Sequence, residues 1–553
     1  VRTRIAMMLA LTACTSAPGA LPGDGIDAGS RRRDASAPID GATERDVGPR
    51  VDGGDPFTTF DRAWWERAVI YFVMVDRFSN GDRTNDGDAT CTDASAPILF
   101  HGGDLQGIVD RLDYLEELGV TAVWITPVQR QVGRRGDQCG YHGYWADLGV
   151  PDDGAIEPRL GGEAALHALI DALHERGMRL IVDLVVNHAG YGARVVGQRP
   201  EWFHPSAGCE TLGDPDVYCA LSGLPDFAHE RDDVADYLDA MSTSFVSRFA
   251  FDGIRMDTVK HVEVAYFRDR WVPAVREERP GLYLVGELFD EGGYALFDRY
   301  LDAGFDGLFD FPMRRALIDS VAHGGSLGAL AGRAQETVTR WGAERARLRA
   351  TMIDNHDVPR FVEEMSGASE AEKSARLRLA LGVLFTVPGI PQLYMGDELG
   401  MGGAYPLNRR DMPAWTWRAE DREGAHEGAL PDAARIHDEV RALARLRAST
   451  PALHAGGYQE LWRPAPGGAN AWAFFRSSGE SRVVVAVNGG ATTITDLQVP
   501  YRTNPGIAER DRETPDGTTL TLVHGPEGAS ARVVGGRIAL MLPPRSLVVL
   551  TMP

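Results

Sequence analysis

In Gly253-Ile254-Arg255-Met256-Asp257-Thr258-Val259-Lys260-His261 a short apolar strand runs straight into charged side chains. With the two-residue period of an extended chain, Arg255 and Asp257 point to the same side. The same arrangement recurs in Asp183-Leu184-Val185-Val186-Asn187-His188, in Gly286-Glu287-Leu288 and in Ile353-Asp354-Asn355-His356-Asp357. One such ending carries little information, because Asp and Asn commonly finish strands. Four in order along the chain describe strand ends that converge.

Working outward, eight apolar runs occupy residues 69–75, 120–126, 179–186, 253–256, 283–285, 307–311, 350–353 and 390–394. They are bounded by Gly, Pro and Asp and are apolar throughout, as parallel strands buried on both faces are. Amphipathic helical patterns such as residues 162–176 and 234–249 lie between them. The alternation predicts an α/β chain folded as a (β/α)8 TIM barrel, with its chemistry at the carboxyl ends of the strands. The barrel is expected over 61–188 and 230–450, with residues 189–229 as a small inserted domain after the third strand. Past a helix ending near Arg447 the period changes to two, in residues 472–476, 481–488, 518–523 and 546–551. Residues 451–553 therefore read as a C-terminal antiparallel β-sandwich.

The chain has 553 residues, 44% of them apolar, with a formal net charge of −22. That length calls for more than one core, and that charge repels phosphate backbones, which excludes nucleic acid as a partner. A neutral substrate or bound cations fit better. Of the five cysteines, Cys14 follows Arg2, Arg4, an apolar stretch and Leu11-Thr12-Ala13. This resembles the lipobox of bacterial lipoproteins and implies a signal peptide over 1–14, with Cys14 acylated. Residues 15–60, rich in Gly, Ala, Pro and Asp, read as a flexible linker. The implied location is the cell envelope, by a lipid anchor alone, or the medium. The other four suit disulfides of an exported protein, Cys209 with Cys219 and Cys91 with Cys139.

The strand-end motifs, together with residues 119–128, Leu224-Pro225-Asp226-Phe227 and the run from Gly389-Ile390-Pro391 to Gly396-Asp397-Glu398, resemble the α-amylase family of glycoside hydrolases. The resemblance implies a retaining hydrolase of α-linked glucans, acting as a monomer. It makes Asp257 the nucleophile, Glu287 the general acid/base and Asp357 the acid that grips sugar hydroxyls as the ring distorts. Retention needs two carboxyls roughly 5–5.5 Å apart, one ionised and one protonated. The charge of Arg255 should keep Asp257 ionised, while neighbouring negative groups raise Glu287. By the same resemblance His188 and His356 bond hydroxyls of the sugar at the cleavage point. Tyr144 stacks on that sugar, Lys260 and His261 receive the leaving-side glucose, and Arg409 lies on the donor side.

Two calcium sites are also implied. Asn187, Asp226 and the carbonyl of His261 match a site between barrel and insert, with Asp214 or Asp216 as a further ligand. Asn80, Asp82, Asn85, Asp86, Gly102 and Asp104 match a loop nearer the N-terminus. All offer the oxygen donors that calcium takes. Two other functions are carried forward. A cyclodextrin-forming glucanotransferase shares the N-terminal loop, but Tyr405 stands where such enzymes have an acidic residue. A non-catalytic glucan-binding lipoprotein would be expected to have lost a catalytic acid, and all three are present.

Overall fold

The computed structural model describes residues 59–553. Cys14, the signal segment and nearly all of the linker lie outside them. Eight parallel strands follow in order: β1 (Ile70–Val73), β2 (Ala122–Ile125), β3 (Arg179–Leu184), β4 (Gly253–Met256), β5 (Tyr283–Gly286), β6 (Gly307–Leu308), β7 (Ala350–Thr351) and β8 (Ile390–Tyr394). Every residue in them is buried, as expected for strands covered by helices outside and side chains inside. Each strand from β1 to β5 pairs with the next, and β1 pairs with β8, which pairs with β7. A single parallel bridge between Phe309 and Ala350 completes the circle.

The strands at β6 and β7 are shorter than the apolar runs suggested. At β6 the reason is local: Asp310 accepts a hydrogen bond from Met313 N at 3.0 Å and caps the helix Phe311–Leu317. The run therefore leaves the sheet two residues early. Outside the barrel, Gly162–Glu175 buries Leu166, Leu169, Ile170 and Leu173, one stripe of a helix. Asp232–Arg248 buries Val234, Leu238, Met241 and Phe245 in the same way, with acids in its first turn and an arginine in its last. Among the described residues no helix is long and apolar enough to cross a membrane.

After β3 the chain makes a long excursion of short helical turns before returning as the helix at Asp232. Its base is closed by bridges His188–Asp226 and Phe203–Phe227. Its outer part is a turn closed by a disulfide between Cys209 and Cys219. A second disulfide, Cys91–Cys139, ties the loop after β1 to the loop after β2.

The C-terminal region holds eight strands: β9 (Gln459–Trp462), β10 (Ala471–Ser478), β11 (Ser481–Asn488), β12 (Ile494–Pro500), β13 (Thr521–His524), β14 (Ser530–Val534), β15 (Arg537–Leu542) and β16 (Ser546–Thr551). They form a five-stranded sheet (β13-β16-β11-β10-β9) and a three-stranded one (β12-β15-β14) with a core of their own between them. Four of these strands, β9, β12, β14 and β15, were not anticipated. The hairpin from β14 to β15 turns through Gly535 and Gly536, both at positive φ, a two-glycine turn that marks a hairpin in the sequence.

The sandwich meets the barrel through buried arginines. Arg447 donates to the carbonyls of Glu66 (2.6 Å), Gly389 (2.7 Å) and Leu453 (3.0 Å). Arg476 on β10 donates to Thr386 on the barrel side and to Gly456 and Gly457. Replacing Arg447 by Ala strands several buried carbonyls at roughly 1–3 kcal/mol each. A stability loss of about 3 kcal/mol or more is expected in urea unfolding; an unchanged midpoint would show that the clamp contributes nothing.

Candidate active site

The carboxyl ends of β3, β4 and β5 meet at one guanidinium. The register sets Asp183 of β3 beside Arg255 of β4, and Arg255 beside Val285 of β5. Arg255 is fully buried. Its Nη1 donates to Asp183 Oδ1 at 2.9 Å and to Asp257 Oδ1 at 2.5 Å, while Nη2 lies 3.2 Å from Glu287 Oε2. One cation thus faces three buried carboxyls. Ionising all three would leave two negative charges uncompensated in a dry interior, so protonation must relieve the excess.

The pKa shifts follow that reasoning. Burial drives Glu287 up, Arg255 opposes it, and Asp257 and Asp357 add to the rise, which ends at about 8. Burial also lifts Asp183, against Arg255 and with Asp257, to about 7. Negative neighbours were the expected cause for Glu287; removal from water is the larger one. Asp357 behaves oppositely: burial raises it, but His356 and Arg409 hold it below the ordinary carboxylate range. Arg409 Nη2 donates to Asp357 Oδ1 at 3.0 Å, and its Nε donates to the His356 carbonyl at 2.9 Å. His356 itself is pushed down by burial to about 3, so at neutral pH its ring is uncharged.

The turn after β4 bridges the two acids. Thr258 sits at φ +48, a left-handed conformation that β-branched residues rarely adopt. There its N–H donates to Glu287 Oε2 at 2.9 Å and its Oγ1 to Asp257 Oδ2 at 3.2 Å. A costly backbone conformation at such a point is a mark of a functional site.

The opposite wall is aromatic. Tyr144 donates from its hydroxyl to Asp183 Oδ2 at 2.8 Å and stacks on the His356 ring, centroids 5.2 Å apart. His188 Nε2 lies 3.2 Å from the Tyr144 carbonyl. Arg409 reaches the Tyr141 hydroxyl at 3.4 Å and lies over Tyr405, which is 52% exposed at the rim. Two residues after Glu287 the exposed ring of Phe289 rests on Phe311. Lys260 and His261 are engaged by the insert: Lys260 Nζ is 2.9 Å from Asp216 Oδ2, and His261 Nδ1 is 2.7 Å from the Asp216 carbonyl.

Sequence reasoning missed Asp183 and Thr258 as site residues. Asp183 had a signal, since it precedes Asn187-His188 on the same strand, but only the register reveals its partner. Thr258 had none, because its conformation is not written in its side chain.

The candidate calcium ligands are partly brought together. Asn187 and Asp226 are joined by the bridge at His188, and Asn187 Oδ1 is buried without a hydrogen-bond partner. Asp226 Oδ2 meets His204 Nδ1 at 2.7 Å. Asp214 caps its own short helix and Asp216 is paired with Lys260. In the loop after β1, Asn80 donates to Asp86 at 2.8 Å and Asn85 to Asp104 at 3.2 Å, which leaves Asn80 Oδ1 and Asn85 Oδ1 buried and unpartnered. Asp82 accepts from Thr84. A Cβ at Gly102 would strike Asn80 and Asp86, so the backbone itself borders this cluster. Asp104 also accepts from the N–H groups of Gly81, Asp82 and Gly107.

Residues 72–207 and 215–441 match the profile of the family described as "Alpha amylase, catalytic domain". The chain belongs to the alpha-amylase family. The matched stretches part inside the turn closed by Cys209 and Cys219. The alpha-amylase family relatives include a Beta/alpha-amylase of Paenibacillus polymyxa, 31% identical over 88% of this chain but only 38% of its own length. Neopullulanase 2 of Thermoactinomyces vulgaris is 30% identical over 81% of this chain and 74% of its own. The α-amylase of Geobacillus thermoleovorans, solved in complex with acarbose, superposes with a TM-score of 0.73 at 28% identity, covering 88% of this chain and 99% of that one. Like them, this alpha-amylase family chain is an enzyme.

The Glu287 carboxyl is expected to release its proton around pH 8. A difference titration of the wild type against Glu287→Gln should show one group missing there, and superimposable curves would contradict the electrostatics above.

Proposed function

We propose that this enzyme hydrolyses α-1,4-glucosidic bonds in starch, glycogen or maltodextrins, with retention at the anomeric carbon. The observation that supports it best is the Arg255 guanidinium shared between Asp257 and Glu287, with Glu287 held at about 8. A retaining glycosidase needs one carboxylate to attack and one carboxylic acid to protonate. In this reading Asp257 attacks the anomeric carbon as Glu287 gives its proton to the departing oxygen. Glu287, now ionised, takes a proton from the water that displaces Asp257. Asp357, kept ionised beside Arg409, grips the hydroxyls of the distorting ring. Tyr144 offers its face to the C–H side of the sugar, and His188 and His356 offer ring nitrogens to its hydroxyls. The named activities of the relatives, and the acarbose complex of one of them, favour α-glucan as the substrate class.

Calcium belongs to the proposal at two places. Asn187 and Asp226 would hold one ion at the root of the insert, and the unpartnered amide oxygen of Asn187 suits it. Asn80, Asp82, Asn85 and Asp86, beside Gly102 and Asp104, would hold the other. Bound there, calcium supplies charge compensation that pins loops; the bond-breaking steps stay with the carboxyls.

The pH dependence has a definite sign. Glu287 acts as an acid only while protonated, so kcat/KM on soluble starch should fall about tenfold per unit above its value of about 8. Glu287→Gln should lower kcat by roughly 10²–10⁴-fold, and Asp257→Asn should reduce sugar release to background. A variant at 257 as active as the wild type would exclude it as nucleophile. Chelation should lower the melting temperature, with recovery on adding calcium and not sodium; an unmoved transition would remove calcium from the proposal.

A further inference from the structure

The insert does more than flank the site. Glu287 marks where the leaving group departs, since its carboxyl faces the bond to be protonated. Tyr144, His188, His356, Asp357 and Arg409 form one connected wall. The chain that backs Glu287 is the turn after β4: Thr258 N donates to its carboxylate, and Val259 N donates to its carbonyl at 3.0 Å. That turn continues directly into Lys260 and His261, which the family resemblance puts on the leaving side. Both are covered. The helix Pro215–Tyr218 lays Asp216 on them, by its carboxylate on Lys260 and its main-chain carbonyl on His261. Tyr218 adds a hydrogen bond to Glu263, and the Cys209–Cys219 disulfide closes the turn behind.

We infer that Asp216 is a positioning residue that sets the choice of acceptor, by occupying Lys260 and His261 in place of an incoming sugar. This deepens the proposed hydrolysis and rests on it. The glycosyl-enzyme ester at Asp257 is broken by an oxygen nucleophile. Its O–H proton passes to the Glu287 carboxylate, and a new C–O bond forms to water or to a sugar hydroxyl. Water needs no subsite, whereas an acceptor sugar needs polar partners beside Glu287. While Asp216 holds those partners, water is favoured. The contact is a displaceable cover: the Asp216 side chain is 52% exposed and that of Lys260 27%, and exposed ion pairs are weak. The disulfide matters for that reason, since it restores the cover after each sugar leaves.

The test is the partition of a nitrophenyl maltooligoside between hydrolysis and transfer to added maltose, read by product chromatography. Asp216→Ala should raise the transfer-to-hydrolysis ratio by about two- to fivefold, the scale of one exposed ion pair. The double variant Cys209→Ser/Cys219→Ser, which frees the turn and leaves Asp216 in place, should move the ratio in the same direction. Adding Lys260→Ala to Asp216→Ala should cancel the gain. An unchanged or lowered ratio in Asp216→Ala, with the wild type hydrolysing the substrate, would overturn the inference alone. A wild type that releases no sugar would overturn the hydrolase reading first. If Asp216→Ala does not fold, the disulfide variant decides by the same ratio.

Discussion

One buried guanidinium organises the functional end of this barrel. Arg255 is held on β4 by two neighbouring strands and touches Asp183, Asp257 and Glu287 at once. Removing it would leave several carboxyls in a dry interior without a counter-charge, a change that costs roughly 3–5 kcal/mol in buried pairs. The same scarcity of positive charge differentiates the acids. Glu287 keeps its proton at neutral pH, whereas Asp357 has Arg409 to itself and does not. Two similar side chains thereby acquire opposite protonation states from their surroundings.

Around this centre, the loops after the strands are fastened to each other rather than left to their own propensities. Cys91–Cys139 joins the loop after β1 to the one that carries Tyr141 and Tyr144. Tyr144 and the Asn/Asp-rich loop therefore sit on covalently tied segments. Cys209–Cys219 closes, within the insert, the turn that covers Lys260 and His261. Such ties suit a site built on short strands, because β6 and β7 each contribute only two paired residues. Precision has to come from loop-to-loop contacts.

Much of the architecture is legible in the sequence, for a specific reason. Strands buried on both faces must be apolar along their whole length, so eight short apolar runs separated by amphipathic helices have few other meanings. Acids and amides that end four of those runs point to one pocket for the same reason. The sandwich is harder to read. β14 buries only two of its five residues and β12 only two of its seven, so their hydrophobic signal is diluted. The double glycine at 535 and 536 is the clearest mark of a hairpin there.

By itself, the sequence determined the barrel, the order of the acids along it and the two cysteine pairs, because burial pattern and residue chemistry are local properties of a chain. Only the tertiary structure decided that burial is the main cause of the rise at Glu287, that Asp183 rises with it, which residues back Glu287, and what lies on Lys260. Protonation depends on the charges and the water brought near a group by strand register, as Asp183 and Arg255 illustrate. The cover over Lys260 depends on a turn 44 residues earlier in the chain folding back onto it. No pattern within either segment records that meeting.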